Sequence, residues 1–460
     1  MTKDNPSVYP VSTPTSFHTL LLRARSLVVY RGVLEDGIGY DFLRLLDLLS
    51  EDESGQKVDE VDLMESFSSL LAGLLSEGAD TDGDLWQEHL ARRILEDANP
   101  FSELAGKSGV GSASEALTRQ VESELRVLQA LCGCTLQSLG KAIQSLAASL
   151  DEAGADALWP LAQRAIPSVD SLHQKLFANE ADWAVLIGPL AGHYAHSGAG
   201  IFARFNAFRW VVEDGVGELE GIPVPDPVTL DNLIGYEREK EAVLRNTRHF
   251  AQGRRANNVL LYGDSGTGKS SLVKALLNTF AEEGLRLIEV PKEHVTDFPY
   301  IMRPLRGRME RFIIFVDDFS FEEHETEYKA MKALLEGSIE ARPENVLVYA
   351  TSNRRHLIKE RFSERSAPGL DDVHPVDTMQ EKLSLADRFG IRVAFIAPDQ
   401  DRYLAIVAAL AEQEGLPIKE HDLRNRAIQW AQMQNGFSGR TARQFIDDLV
   451  GELSEAKGAG

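Results

Sequence analysis

The sequence predicts an α/β fold: a five-stranded parallel sheet between helices, followed by a C-terminal helical lid and preceded by an all-α N-terminal domain. Three observations carry this. Over roughly the first 220 residues apolar side chains recur at helical spacing with no strand alternation. Gly221-Ile222-Pro223-Val224-Pro225-Asp226-Pro227 then places three prolines in five residues, a stiff extended linker through which no helix continues. Beyond it, apolar runs of strand length alternate with helical patterns, the order of a parallel sheet with helical crossovers. The divisions expected are 1–221, 222–398 and 399–460.

In the first division the helical spacing runs from Phe17 to Leu49, interrupted around Gly32 and Gly37, and continues near 61–76, 84–97, 114–150, 155–177 and 181–211. A break such as Gly78-Ala79-Asp80-Thr81-Asp82-Gly83 has turn composition. In the second, candidate strands are 257–262, 285–290, 312–317, 345–350 and 391–396. After Pro398 helices are expected at 400–414, 421–434 and 439–455. No repeat at a fixed period occurs.

The strand Asn258-Val259-Leu260-Leu261-Tyr262 feeds Gly263-Asp264-Ser265-Gly266-Thr267-Gly268-Lys269-Ser270, which fits the phosphate-binding pattern G-x-x-x-x-G-K-[ST]. A helical pattern leaves from Ser271. Glycines let successive backbone N–H groups converge on phosphate oxygens at a helix N-terminus, where the dipole already favours anions. Lys269 is placed to reach the β- and γ-phosphates and the Ser270 hydroxyl to ligate Mg²⁺, so Gly263 to Ser271 are candidate nucleotide-binding residues.

Forty-eight residues after Lys269, the run Phe312-Ile313-Ile314-Phe315-Val316 ends in Asp317-Asp318. Such a run is a buried strand whose C-terminal tip emerges at the ligand crevice. Asp317 is the candidate Mg²⁺ residue beside Ser270, and Asp318 the carboxylate that polarises the attacking water. The Asp318 side chain is one C–C bond, about 1.5 Å, shorter than Glu, which moves the expected water position. In isolation two strand-end acids equally describe a turn or N-cap. The next strand, Asn345 to Ala350, leads to Thr351-Ser352-Asn353, whose amide can orient that water.

With both halves of a nucleotide site in place, residues 226–460 resemble the AAA+ ATPase module, with Walker A at 263–270, Walker B at 312–318, sensor 1 at Asn353 and a helical lid carrying sensor 2. Phe-Val-Asp-Asp, Ala-Thr-Ser-Asn-Arg-Arg-His and Leu-Ala-Asp-Arg-Phe-Gly resemble the wording of an uncharacterised bacterial AAA+ family with a helical N-terminal region. Asp317-Asp318 and Arg388-Phe389-Gly390 also resemble the DnaA and DnaC/IstB branch. The resemblance implies that Leu233-Ile234-Gly235-Tyr236 packs on adenine, with Ile234 and Gly235 contacting it. It implies that Arg388 is an arginine finger acting on a neighbouring subunit, with Arg361 and Arg365 as competitors, and that Arg443 is sensor 2, with Arg440 as its rival. ATP and Mg²⁺ are the implied cofactors, and a homo-oligomer, a hexameric ring, the implied assembly.

Composition limits the remaining classes. Net charge is −23, and residues 1–225 hold 33 Asp+Glu against 16 Lys+Arg. An acidic surface repels nucleic acid phosphates unless a basic patch is presented locally, so nucleic acid is a possible but disfavoured partner. The helical N-terminal division is the expected contact for an unidentified protein partner. Arg303, Arg306, Arg308 and Arg311 read as a solvated helix and turn, and Phe202, Phe205 and Phe208 with Trp210 as a helical packing stripe. The pair His193/His196 lacks further ligands nearby, and Cys132 and Cys134 read as reduced thiols. A polar N-terminus and the lack of any long apolar run lead to the expectation of a cytoplasmic protein without membrane spans. No Asn-Lys-x-Asp guanine-reading motif occurs, which disfavours a GTPase.

The expected activity is Mg-dependent hydrolysis of ATP coupled to remodelling of a protein partner. A slow nucleotide-gated switch and a DNA-linked loader are the alternatives.

Overall fold

The computed structural model describes residues 16–55, 57–77, 84–108, 113–146, 182–319, 326–336, 342–353, 385–434 and 436–458. The helix expected at 155–177, the break at 78–83, and Arg361 and Arg365 lie outside them. The chain divides at Arg204/Phe205 into two compact units.

The first unit is helical: α1 (Phe17–Arg25), α2 (Gly37–Glu53), α3 (Glu60–Glu77), α4 (Leu85–Glu96), α5 (Pro100–Ser108), α6 (Glu115–Cys132), α7 (Leu136–Leu146), α8 (Ile187–Ser197) and the single turn α9 (Ile201–Arg204). The helices start where side chains can satisfy the first free amides. Ser16, Asp36, Asp84 and Ser114 each accept N-cap bonds from the turn that follows. Their apolar stripes meet in one core that contains Tyr30, Phe42, Trp86, Trp183 and Tyr194. Phe42 stacks on Trp86 with ring centroids 3.7 Å apart. Glu124 is buried beside that core, and its carboxylate accepts the backbone amides of Val28, Val29 and Tyr30. Those bonds satisfy a chain segment that has no secondary structure of its own.

The second unit holds a seven-stranded sheet in the order β2-β1-β4-β5-β6-β3-β7. The strands are β1 (Ala207–Glu213), β2 (Val216–Gly221), β3 (Val259–Gly263), β4 (Leu285–Glu289), β5 (Arg311–Val316), β6 (Val346–Ser352) and β7 (Ile391–Phe395). All pairings are parallel except β1 with β2. Helices α10 (Glu237–Ala251), α11 (Lys269–Phe280), α12 (Phe298–Met302) and α13 (Thr326–Glu336) intervene. Val243, Phe250, Leu272 and Leu276 from α10 and α11 pack with Leu261, Ile313 and Leu347 of the sheet. Three further helices, α14 (Gln400–Gln413), α15 (Glu420–Met433) and α16 (Gly439–Gly458), enclose a separate apolar cluster around Tyr403, Val407, Ala427 and Ile446.

The sheet corrects the sequence reading in two respects. It is mixed and seven-stranded, not five-stranded and parallel, because residues 207–221 form a hairpin that extends it at the β4 edge. The stretch 181–211 is therefore not helical throughout, and the first 221 residues are not all-α. Phe208 and Trp210 lie on β1, so the four aromatics form no helical stripe. The physical signal is Asp214-Gly215, a two-residue turn with both φ values positive (50° and 79°), the type I′ geometry that closes a hairpin. Glycines in β2 make room for the rings: a Cβ at Gly217 would lie 2.1 Å from Trp210, and one at Gly221 2.1 Å from Phe205.

Candidate nucleotide-binding site

The phosphate-type loop leaves the tip of β3, and α11 begins at Lys269. Gly263 has φ 129°, and a Cβ there would lie 2.1 Å from the carbonyl oxygen of Phe395, so β7 presses too closely for any side chain. Asp264 anchors the loop from behind. Its amide donates to the Phe395 carbonyl at 2.9 Å, and its Oδ2 accepts the Ala397 amide at 2.6 Å. Thr267 Oγ1 donates to the Asp264 carbonyl at 2.8 Å. Of the candidate loop residues, Ser265 to Ser271 line the cleft in front, whereas Gly263 and Asp264 support it.

Lys269 is buried, and its Nζ donates to the carbonyls of Gly263 (3.1 Å) and Asp264 (2.7 Å). Burial lowers its pKa, Arg440 adds to that, and the charges of Asp264, Asp317 and Asp318 oppose it. The Lys269 ammonium beside backbone amides at a helix start is the anion-receiving part of the site, and the nearby carboxylates of Asp317 and Asp318 call for a cation to accompany a polyanion there.

Strand β6 lies between β5 and β3, which brings the tips of all three strands together. Ser270 Oγ donates to Asp317 Oδ1 at 2.6 Å, and Thr351 Oγ1 donates to the same oxygen. Asp318 has φ 50°, its amide donates to Thr351 Oγ1 at 2.8 Å, and Asn353 Nδ2 donates to Asp318 Oδ1 at 2.7 Å. Ser270, Asp317, Asp318 and Asn353 all line one cleft of about 730 Å³. Hydroxyl and carboxylate oxygens this close are the hard donor set that suits Mg²⁺.

The segment 233–236 lines the same cleft, with Val228, Ile406 and Leu410 adding apolar wall. Gly235 and Tyr236 are consecutive left-handed residues (φ 83° and 60°) that turn the chain into α10. Tyr236 is fixed on both sides: its hydroxyl donates to the Ile396 carbonyl at 2.6 Å, and the Arg402 guanidinium stacks 3.9 Å from its ring centroid. Arg402, which sequence reasoning did not single out, thus ties α14 to the nucleotide segment by a cation–π contact.

Arg440 and Arg443 both line the cleft. The Arg440 amide donates to the Gly266 carbonyl at 3.1 Å, whereas Arg443 pairs with Glu414 at 3.0 Å. Arg388 is elsewhere. It precedes β7, whose parallel register with β3 pairs Val259 with Ile391 and Gly263 with Phe395, so Arg388 lies at the N-terminal end of the strands, the opposite end from the loop. It lines a smaller polar pocket with Arg342, Asn257, Asn258 and Gly390. Asn353 is followed by Arg354-Arg355-His356, which lie outside the described residues.

Other groups have local partners. His193 Nε2 is 3.3 Å from the Leu95 carbonyl, a core contact. Cys132 and Cys134 are buried free thiols, and burial pushes Cys134 up to about 12, which leaves it unreactive. Arg308 bonds the Pro304 carbonyl and Glu310. Among the described residues, the one His/carboxylate cluster with metal-like spacing is Asp36, Glu77 and His89. Arg92 pairs with Glu77 and Arg93 with Asp36 there, so the two carboxylates already have cations.

Comparison with known proteins gives a family. The model described as "Protein of unknown function (DUF815)" matches residues 203–453, just over half of the chain. A 26S proteasome regulatory subunit homolog of Methanocaldococcus jannaschii is 25% identical over 224 residues, 46% of this chain and 55% of that protein. The archaeal Lon protease of the same organism is 32% identical over 104 residues, 23% of this chain and 14% of that protein. The chain thus spans about half the length of the first of these relatives and much less of the second. Among solved structures, the Thermotoga maritima RuvB Holliday junction branch migration motor matches with 16% identity over 48% of this chain and 72% of that chain, at a TM-score of 0.31. A proline-to-glycine mutant of the same motor matches with 19% identity over 50% and 68%, at 0.35. No helix among the described residues is long and apolar enough to cross a membrane.

Proposed function

We propose, from the premise that this chain belongs to the family described as protein of unknown function (DUF815), that it is an AAA+ ATPase that binds ATP with Mg²⁺ and hydrolyses it. The observation that carries the reading is the convergence, in one cleft, of a glycine loop with Lys269, two strand-end aspartates, and an amide one strand over. Distant likeness to a proteasome regulatory subunit homolog and to a Lon protease supports the class. The resemblance of Asp317-Asp318 and Arg388-Phe389-Gly390 to the DnaA and DnaC/IstB branch supports the finer reading that the chain is related to it.

Ser270 and Asp317 would hold Mg²⁺, which when bound draws charge from the phosphoryl oxygens. The protein's own part is positioning and charge. Loop amides from Ser265 to Ser271 cradle the phosphates, and Lys269 turns its ammonium from the loop carbonyls to the phosphate oxygens. Asp318, held by Asn353, accepts a proton from the attacking water. Because Arg388 lies at the far end of the strands from its own loop, its role as an arginine finger belongs to a second copy's nucleotide, and the active species is a head-to-tail oligomer, a hexameric ring by analogy with its class. The helical first unit is the proposed contact for a protein partner that the oligomer remodels in the cytoplasm.

Asp318→Asn tests the chemistry. It should bind ATP as tightly as the parent and lose turnover by at least about 100-fold. Unchanged turnover removes Asp318 from the mechanism.

A further inference from the structure

Thr351 is 2% exposed, near the end of β6 that faces the cleft, and its hydroxyl serves both aspartates. The register that pairs Val316 with Ala350 sets Asp317 beside Thr351, and the Phe319 amide donates to the Thr351 carbonyl at 2.8 Å. A hydroxyl has one proton to give and two lone pairs. Here the proton goes to Asp317 Oδ1, and a lone pair accepts the Asp318 amide at 2.8 Å.

Each bond has a consequence. Asp317 Oδ1 receives two hydroxyls, from Ser270 in the cleft and from the buried Thr351 on the neighbouring strand, so the carboxylate is held by both. Asp318 occupies the left-handed region (φ 50°), costly for a residue with a side chain, and the amide bond to Thr351 offsets that cost. That backbone turn places Asp318 Oδ1 at 2.7 Å from Asn353. One hydroxyl therefore orients the proposed metal residue and the proposed base together.

We infer that Thr351 is a positioning residue whose hydroxyl sets the direction of both Asp317 and Asp318, and so controls Mg²⁺ dependence and turnover without contributing to metal-free nucleotide binding. This rests on the ATPase reading above. Thr351→Val keeps the shape and removes the hydroxyl; Thr351→Ser keeps the hydroxyl and removes the methyl.

The test measures ADP affinity in EDTA, the Mg²⁺ concentration giving half-maximal ATP turnover, and maximal turnover, with folding checked by circular dichroism. Thr351→Val should bind metal-free ADP within about twofold of the parent. It should need about tenfold more Mg²⁺ and turn over about 10- to 100-fold more slowly, the range expected for lost hydrogen bonds to charged groups. Thr351→Ser should restore both. Parental Mg²⁺ dependence and turnover in Thr351→Val overturns the inference, as does a Thr351→Ser as defective as Thr351→Val. If Thr351→Val does not fold, Thr351→Ala carries the same expectations, and failure of both to fold assigns the hydroxyl to stability and overturns the inference. Absence of Mg-ATP binding in the parent chain, by contrast, overturns the ATPase reading itself.

Discussion

The backbone amide of Arg440 donates to the carbonyl of Gly266 at 3.1 Å, so the first turn of the last helix is bonded directly to the phosphate loop. Ser438 closes on the same glycine: a Cβ at Gly266 would lie 3.1 Å from Ser438 Oγ and 3.2 Å from Arg440 Cβ. Arg443, the sequence-based choice for sensor 2, is one turn farther along and engages Glu414. The Arg440 guanidinium also lines the cleft and its charge acts on Lys269, so Arg440→Ala should weaken ATP binding about tenfold, the effect of one lost charge-assisted contact, and Arg443→Ala by less. Titration with a fluorescent ATP analogue checks the order, and the reverse order restores Arg443 as the phosphate sensor.

Arg388 lies at the end of the strands away from its own loop, which makes complementation a direct probe. Arg388→Ala retains a complete phosphate loop, and Lys269→Ala retains the arginine. Each alone should be nearly inactive. Mixed, they should regain a measurable fraction of parental turnover, because some junctions then combine an intact loop with an intact Arg388. A mixture no more active than its components shows that Arg388 does not act between copies.

Much of the site is legible in the sequence because its residues are local. A strand, a glycine loop and a helix start are contiguous from Asn258 to Ser271, and Asp317-Asp318 end a run too apolar to be anything but a buried strand. What escapes is long-range. Thr351 is marked only by the strand register that sets it beside Asp317, and Arg402 only by a stacking contact with a residue 166 positions earlier in the chain. The β1–β2 hairpin escapes for another reason. Its aromatic residues also fit a helical period, and only the Asp-Gly turn arbitrates between the two periods.

Two carboxyls in the first unit predict a pH effect on stability. Burial pushes Asp84 and Asp97 up to about 6. Between pH 4 and pH 6 the native state thus holds protons that the unfolded chain has already released, and unfolding free energy falls as pH rises through this window, by about 2 kcal/mol at most for each group. Asp97→Asn mimics the protonated side chain and lacks this dependence. The gap in Tm between Asp97→Asn and the parent should move in the variant's favour from pH 5 to pH 7. A gap that does not change with pH contradicts it.

The most direct measurement is calorimetric titration of ATP, with Mg²⁺ present, into the purified parent chain and into Lys269→Ala of equal helical content. Saturable binding by the parent, strengthened by Mg²⁺ and lost in Lys269→Ala, is the predicted result. No binding by the folded parent, or equal binding by the variant, contradicts the assignment of this cleft as a nucleotide site.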